Sequence, residues 1–310
     1  MSQAAVFNVQ DAPHPPSGEI LNLITSLSNP QNHTAHKEAL ALRDQTLSSS
    51  PSNYSQTCIQ FGRVLGCPSP EHLSPTEVEV WRQKDATSLL QLQHDPVGGW
   101  LQLREMAGLL LKNALMNPPF DTSNSTRVRM RLLEAETREI QSILCRGICD
   151  GRPNIRRVSS SLLASATLSR NGALPLAEWG DSVLLPFLVN CLHSAIPLME
   201  AGQMLPDNVQ FGVLGSLQTL SKMLEDDAVA VEKGGGAAFP KVVPCLLKLL
   251  QICGEEKVKV NCLESFVYLV QLMPSSLVVT MSQFLGVLSA LGNDASANVK
   301  KLVCRSIVTL

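Results

Sequence analysis

The sequence predicts an all-α fold, a superhelical solenoid of stacked helix pairs, and three observations predict it. The first is composition. Of 310 residues, 45% are hydrophobic but only 4% aromatic. Leu, Val, Ile and Ala carry the apolar share, which suits helix-on-helix packing better than a β-sandwich built from aromatic and β-branched residues. The second is an internal repeat. Asp150-Gly151-Arg152-Pro153-Asn154-Ile155-Arg156-Arg157-Val158 lines up with Asp294-Ala295-Ser296-Ala297-Asn298-Val299-Lys300-Lys301-Leu302. In both, an Asp in a turn precedes an Asn, an aliphatic residue, two basic residues and a second aliphatic. The third is spacing. Weaker copies begin at Leu101-Gln102-Leu103-Arg104, Asp207-Asn208-Val209-Gln210 and Glu255-Glu256-Lys257-Val258. The aliphatic anchors Leu101, Ile155, Val209, Val258 and Val299 then lie 54, 54, 49 and 41 residues apart. HEAT and armadillo units run at about 40–47 residues, more where loops are inserted. One continuous HEAT-repeat solenoid, armadillo-like in build, therefore fits better than two globular domains.

Taken in order, residues 1–16 are polar and contain proline, with no apolar core, and read as a flexible N-terminus that is neither signal peptide nor anchor. Residues 17–120 hold repeats one and two. An insertion at about 67–99 interrupts them, marked by Pro68, Pro70, Pro75, Pro96 and Gly98-Gly99; Pro75 to Gln93 can form an extra helix inside it. The copy at Leu101 leads into a helix over Met106 to Leu115. Residues 121–310 hold repeats three to six. In the fourth, a helix over Trp179 to His193 pairs with one over Asn208 to Leu224, across a turn-prone stretch with Pro197, Gly202 and Pro206. In the fifth, Phe239 to Cys253 pairs with Lys257 to Met273. Val243, Leu246, Leu247 and Leu250 recur there at helical spacing, and Pro240 and Pro244 fall in the first turn, where a missing N–H costs little. Glu232 to Gly236 reads as a flexible link. The chain stops inside the apolar run Ile307 to Leu310 with no polar capping unit, so it reads as a fragment or truncated form whose last pair exposes apolar surface.

The repeated Asp has a local role. A carboxylate before a helix accepts backbone N–H groups and meets the positive end of the helix dipole. The basic residues one turn later are placed to bridge to the acid of a neighbouring unit, which makes a ladder between repeats.

Charge and motif content narrow the function. The net charge of −2 provides no basic face for nucleic acid. The local excess of arginine from Arg127 to Arg157 is interleaved with Glu134, Glu136, Glu139 and Asp150, and reads as solvated, self-paired helix faces. Nine cysteines without a CxxC pair or a secretory signal argue against a disulfide framework and for a reducing compartment. Most fall in apolar helical patterns, and Cys145 and Cys149 share an inward face. No stretch reaches the ~18 uninterrupted apolar residues of a membrane span. Gly234-Gly235-Gly236 lacks the Gly-Lys-Ser/Thr that completes a phosphate loop. His33 and His36 lack a third ligand nearby. No Gly-x-Ser-x-Gly elbow occurs, and Asp226-Asp227 reads as a solvated pair at a helix end. The expectation is a binding protein without catalysis, cofactor, metal, nucleic acid or membrane.

Four segments carry a resemblance. Arg104-Glu105-Met106-Ala107-Gly108-Leu109-Leu110-Leu111-Lys112-Asn113 is similar to the segment of transportin-type import receptors in which an Arg opens a Gly-Leu-aliphatic-Leu-Lys-Asn run. Ser159 to Gly172 resembles the second helix of the next repeat. Trp179-Gly180-Asp181-Ser182-Val183-Leu184-Leu185-Pro186 resembles a Trp-Pro-Asp-Leu-Leu-Pro opening, with Gly180 in place of Pro. Asn298 to Val308 resembles a run in which a basic pair precedes Val-Cys-Arg. From about Ile20 to Leu310, the chain thus resembles the N-terminal half of a karyopherin-β, or importin-β, receptor of the transportin type. The resemblance implies binding of Ran GTPase in its GTP form through the second helices, with Arg104, Leu111, Lys112, Asn113, Asn154 and Arg156 as contact residues. It also implies nuclear-pore FG-repeat proteins as partners, cargo bearing nuclear localisation signals held mainly by a C-terminal half, and a cytoplasmic and nuclear location. Two features depart from the family: its members are strongly acidic, and the insertion at 67–99 lies beside the expected Ran surface. Lys112 and Asn113 also fit a plain helix C-terminus. The alternative is a HEAT scaffold of a cytoplasmic complex, such as a phosphatase structural subunit.

Overall fold

The computed structural model describes residues 17–28, 33–67, 96–121 and 128–310. The N-terminal tail 1–16, residues 68–95 with the expected helix at Pro75 to Gln93, Arg127 and the side chain of His33 lie outside the described residues. The described chain is all-α, and it divides into two compact units.

The first unit runs to Gly147 and takes in Asn171–Ala173. It contains α1 (Gly18–Ser28), α2 (His33–Ser49), α3 (Pro51–Gly66), α4 (Pro96–Met116) and α5 (Glu134–Gly147). Helix α3 starts where sequence chemistry dictates. Ser50 has extended backbone, its hydroxyl accepts the Asn53 N–H at 3.1 Å, and Pro51 occupies the first turn. Its buried face, with Ile59, Phe61 and Val64, packs against α4 and α5. The wholly buried Tyr54 keeps its hydroxyl satisfied by donating to the Ala114 carbonyl at 3.0 Å. Arg63 holds Glu139 of α5 through two bonds of 2.7 and 3.0 Å, and Gln56 donates to Glu136 at 2.8 Å. Part of the acidic content of the Arg127–Arg157 segment is therefore spent on α3, while Arg138 pairs with Glu134 one turn back. After α4 the chain makes a short antiparallel bridge between Phe120 and Arg129, with the Arg129 guanidinium 4.7 Å above the Phe120 ring. The Ala173 N–H donates to the Leu115 carbonyl at 2.8 Å, which ties 171–173 to this unit.

The second unit comprises Ile148–Arg170 and Leu174–Leu310. Its helices are α6 (Pro153–Leu168), α7 (Leu176–Trp179), α8 (Leu185–Glu200), α9 (Asp207–Gly235), α10 (Val242–Ile252), α11 (Glu256–Leu272), α12 (Ser275–Val279), α13 (Met281–Leu291) and α14 (Ala297–Thr309). The hairpins α8/α9, α10/α11 and α13/α14 stack in two layers. First helices α8, α10 and α13 form one layer; second helices α6, α9, α11 and α14 form the other. The core lies between the layers: Leu188, Leu192, Val213, Leu217, Leu246, Leu263, Phe266, Phe284 and Leu288 are at most 1% exposed. Phe266 and Phe284 stack with ring centroids 4.6 Å apart. No single hairpin encloses that surface; neighbours supply the cover.

The repeat signature has a physical basis. Asp150 Oδ1 accepts the Arg152 N–H at 2.8 Å, and Asp294 Oδ1 accepts the Ser296 N–H at 2.9 Å. Both copies thus build the same side-chain-to-backbone turn two residues on. The anchors Ile155, Val258 and Val299 are fully buried. In two of the weaker copies the register shifts: Val209 and Leu101 are only half-buried, and Leu103 and Val213 take the core positions.

Several sequence expectations are corrected. The helix expected over Trp179 to His193 is broken by a π-turn at Gly180–Leu184. Gly234-Gly235-Gly236 is not a flexible link. Gly234 and Gly235 close α9 and Gly236 follows with φ +43°. A methyl group on Gly180 would lie 2.4 Å from the Gly234 carbonyl oxygen, so the two backbones touch. Asp227 is not simply solvated: its backbone leaves the helix (φ −163°, ψ 85°) and its carboxylate accepts the Ala230 N–H at 2.9 Å, capping a second segment within α9. Cys145 is buried, but Cys149 is half-buried. The run Leu176–Glu200 is long and apolar enough to cross a membrane on length and composition. Here, however, Leu184, Leu185, Leu188 and Leu192 face the core, while Asn190, His193 and Glu200 face outward. The last pair does expose apolar side chains: Ile307 is 52% and Val308 86% exposed.

Candidate partner-binding surface

The expected contact residues divide into two sets. Arg104, Leu111, Lys112 and Asn113 are on α4 in the first unit; Asn154 and Arg156 are on α6 in the second. On α4 they do not share an accessible stripe. Arg104 is 3% exposed and its Nε donates to the Leu65 carbonyl at 2.8 Å, satisfying a carbonyl at the end of α3. Leu111 is fully buried. Lys112 is half-buried and Asn113 exposed. The helix runs on to Met116, so Asn113 lies in its last turn and is not its cap. Leu109 is 48% exposed, whereas Leu110 beside it is buried.

On α6, Arg156 is 6% exposed. It donates to the Asp150 carbonyl at 2.6 Å, and its guanidinium lies 4.9 Å from the centre of the Phe211 ring on α9. Burial lowers its pKa, and the charge of Asp150 opposes the shift. Asn154 accepts from Arg157 at 3.1 Å and is half-buried.

Arg104 and Arg156 occupy one register position, the residue after the buried anchors Leu103 and Ile155. Lys259 follows the buried Val258 in the same way, and Gln210 follows the half-buried Val209. Gln210 donates to Glu255 at 3.1 Å, and Lys259 to Asp294 at 2.6 Å. Gln210 and Lys259 thus bridge to the acid of the next unit, whereas Arg156, the first residue of a basic pair, bonds the carbonyl of its own turn, so the expected bridge from a basic pair to a neighbouring acid is not made there. The second residue, Arg157 or Lys301, stays exposed.

What the second-helix layer offers outward is a shallow polar groove of 270 Å³ across α6, α9 and α11, lined in part by Arg157, Gln218, Lys222, Glu225, Asn261 and Glu264. Lys222 bonds Glu225 and Asp226 at 2.9 Å each. These hydrogen bonds, the one to Asp226 first, raise its pKa well above the ordinary lysine value. Burial and then the Glu225 charge raise Glu264. The arrangement can recognise a polar, mixed-charge protein surface; it contains no nucleophile–base pair. These residues were not picked out from sequence, although a signal existed. Gln218, Lys222 and Glu225 recur at i, i+4 and i+7 on α9, and Asn261, Glu264 and Tyr268 at i, i+3 and i+7 on α11. These are polar stripes opposite the apolar ones.

No protein-family model matches the chain. The chain is similar to importin subunit beta-2 of Schizosaccharomyces pombe, 26% identical over 217 residues, and to transportin of Dictyostelium discoideum, 26% identical over 213 residues. The alignments take in 68% and 67% of this chain but only 20% and 19% of those proteins, so the chain spans about a fifth of the length of the curated relatives it matches. Among solved structures, two engineered proteins align with 94% of this chain and with 98% and 96% of their own, at 14% and 13% identity and TM-scores of 0.40 and 0.38.

Proposed function

We propose that this chain forms the N-terminal repeats of a transportin-like nuclear import receptor and holds Ran in its GTP form on the outward faces of its second helices. The similarity to importin subunit beta-2 and transportin over two thirds of the chain carries this reading. Two separate surfaces support it, the polar stripes on α9 and α11 in the second unit and Lys112 with Asn113 on α4 in the first. Arg104, Leu111 and Arg156 act from within, fixing the helices that present that surface. FG-repeat proteins of the nuclear pore and cargo with nuclear localisation signals are the further partners of such a receptor, which works in cytoplasm and nucleus without catalysis or a cofactor.

The test is capture of the full chain on immobilised Ran loaded with GTP or with GDP. The GTP form should retain the chain and the GDP form should not. Equal retention on both, or none on either by a chain with an all-helical circular dichroism spectrum, replaces this reading with that of a HEAT scaffold.

A further inference from the structure

The nine cysteine thiols are chemically unequal. Burial pushes Cys58 up to about 12 and Cys262 well above the ordinary thiol value, and it also raises Cys245 and Cys253. Thiols kept protonated in apolar surroundings are inert. Cys149 and Cys191 differ. Cys149 lies in the turn before α6 and Cys191 on α8, and both are half-buried. Their sulfurs converge on Gly212 of α9. A methyl group there would lie 3.6 Å from Cys149 Sγ and 3.7 Å from Cys191 Sγ, so the missing side chain is the space the two sulfurs share.

The surroundings favour a thiolate. The Cys149 thiol hydrogen-bonds Cys191 and lowers its pKa against the opposing effect of burial, and the nearby Ser216 hydroxyl lowers it further. The Arg156 guanidinium interacts electrostatically with Cys149, and its buried Nε has no hydrogen-bond partner. A buried cation with an unmet donor beside a sulfur stabilises negative charge there.

We propose that Cys149 and Cys191 form a thiol–disulfide modification site, oxidised by hydrogen peroxide and reversed by a small thiol. The Cys191 thiolate attacks one peroxide oxygen; the S–O bond forms, the O–O bond breaks, and the leaving hydroxide takes a proton to become water. The resulting sulfenic acid is two electrons more oxidised. Cys149 then attacks that sulfur as a thiolate; the S–S bond forms, the S–O bond breaks, and the departing hydroxide leaves as water with the proton Cys149 gave up. Two thiols and one peroxide give one disulfide and two waters. Two molecules of a small thiol reverse this by exchange through a mixed disulfide, becoming oxidised themselves. An S–S bond of about 2.05 Å requires the hydrogen-bonded sulfurs to close up, and Gly212 puts no side chain in the way. The bond would tie the turn before α6 to α8 across α9, cross-linking successive repeats. This inference does not depend on the transport reading.

The experiment is peptide mapping of the full chain after one equivalent of hydrogen peroxide, with free thiols blocked by N-ethylmaleimide. A linked Cys149–Cys191 peptide should appear, two hydrogens lighter than the sum of its parts, before the exposed Cys304 oxidises, and dithiothreitol should remove it. In the Cys149→Ser chain, dimedone should trap a sulfenic acid at Cys191 faster than at Cys304. If Cys304 oxidises first and no linked peptide forms, or if dimedone labels Cys191 no faster than Cys304, the proposal is wrong.

Discussion

Lys259 and Asp294 meet at 2.6 Å, Nζ to Oδ2, with 16% and 13% of their side chains exposed, and so join α11 to the turn that starts α14. The other Asp294 oxygen accepts the Ser296 N–H at 2.9 Å. Ser296 itself caps α14 and donates its hydroxyl to Glu256 at 2.6 Å. One turn thus carries a helix cap and two links to the preceding repeat. Removing one partner of such a shielded pair leaves the other charge without compensation. Asp294→Ala and Lys259→Ala should each lower the melting temperature by several degrees, and the double variant by less than their sum. Additive losses in a thermal double-mutant cycle would show that the pair is not coupled.

The same contact sets a pH dependence. The Lys259 hydrogen bond first, and the Ser296 amide second, hold the Asp294 carboxyl below the ordinary Asp value. An unfolded Asp titrates near pH ~4. As acid is added, the unfolded chain binds the proton first. The stabilisation is therefore whole above that value and is lost as pH falls through the lower folded value. Melting temperatures of wild type and Asp294→Asn should differ at neutral pH and converge below pH ~4. A constant gap down to strong acid would rule out this origin.

Glycines 215 and 286 should respond in opposite directions to the same substitution. A methyl group on Gly215 of α9 would lie 1.6 Å from the Ile148 carbonyl oxygen, where backbone meets backbone. Gly215→Ala should cost about 3 kcal/mol or more through forced separation. Gly286 in α13 has nothing within 4 Å of its added methyl, so Gly286→Ala should stabilise by roughly 0.5–1 kcal/mol through helix propensity. Denaturant unfolding of the two variants measures both signs.

Asp227 should behave as an internal cap. Its carboxylate accepts the Ala230 N–H where α9 kinks. Asp227→Ala should cost about 1 kcal/mol, whereas Asp227→Asn, which keeps the acceptor oxygen, should cost a few tenths at most. Equal losses would mean that the charge matters and the cap does not.

The fold was legible because its signals are periodic. The Asp150 and Asp294 motifs mark the same turn, and the helix pairs of the fifth repeat fall within a residue or so of their expected ends except where Phe239–Lys241 tightens to a 3-10 turn. The site was less legible, for a physical reason. Arg104 and Arg156 look like surface charges in a one-dimensional reading. Whether a long cation lies outward or folds back onto a carbonyl depends on the neighbouring repeat, which sequence spacing does not encode. The same holds for Gly234: a glycine run reads as a flexible link until Gly180 is seen against its backbone. Lys222 and Glu225 were passed over because a solvated ion pair on a helix has no signature apart from ordinary surface patterning.

The last prediction separates surface from scaffold on α4. Lys112 and Asn113 face outward by different degrees, while Arg104, two turns earlier, is buried against the Leu65 carbonyl. If Ran-GTP docks on these second helices, charge at the rim sets encounter rate and specificity, and salt screens it. Lys112→Glu combined with Asn113→Ala should then weaken Ran-GTP binding by roughly 10-fold, equivalent to about 1.4 kcal/mol, with most of the loss in the association rate and with helicity and melting temperature unchanged. Arg104→Glu should do the reverse. It buries a carboxylate against a carbonyl, so the melting temperature should fall sharply, and any loss of binding should track the loss of folded chain. Association kinetics at two salt concentrations, alongside thermal melts of both variants, distinguish the two roles. A Lys112→Glu/Asn113→Ala chain that binds Ran-GTP as fast as wild type at low salt would remove α4 from the interface and confine the proposed surface to the stripes on α9 and α11.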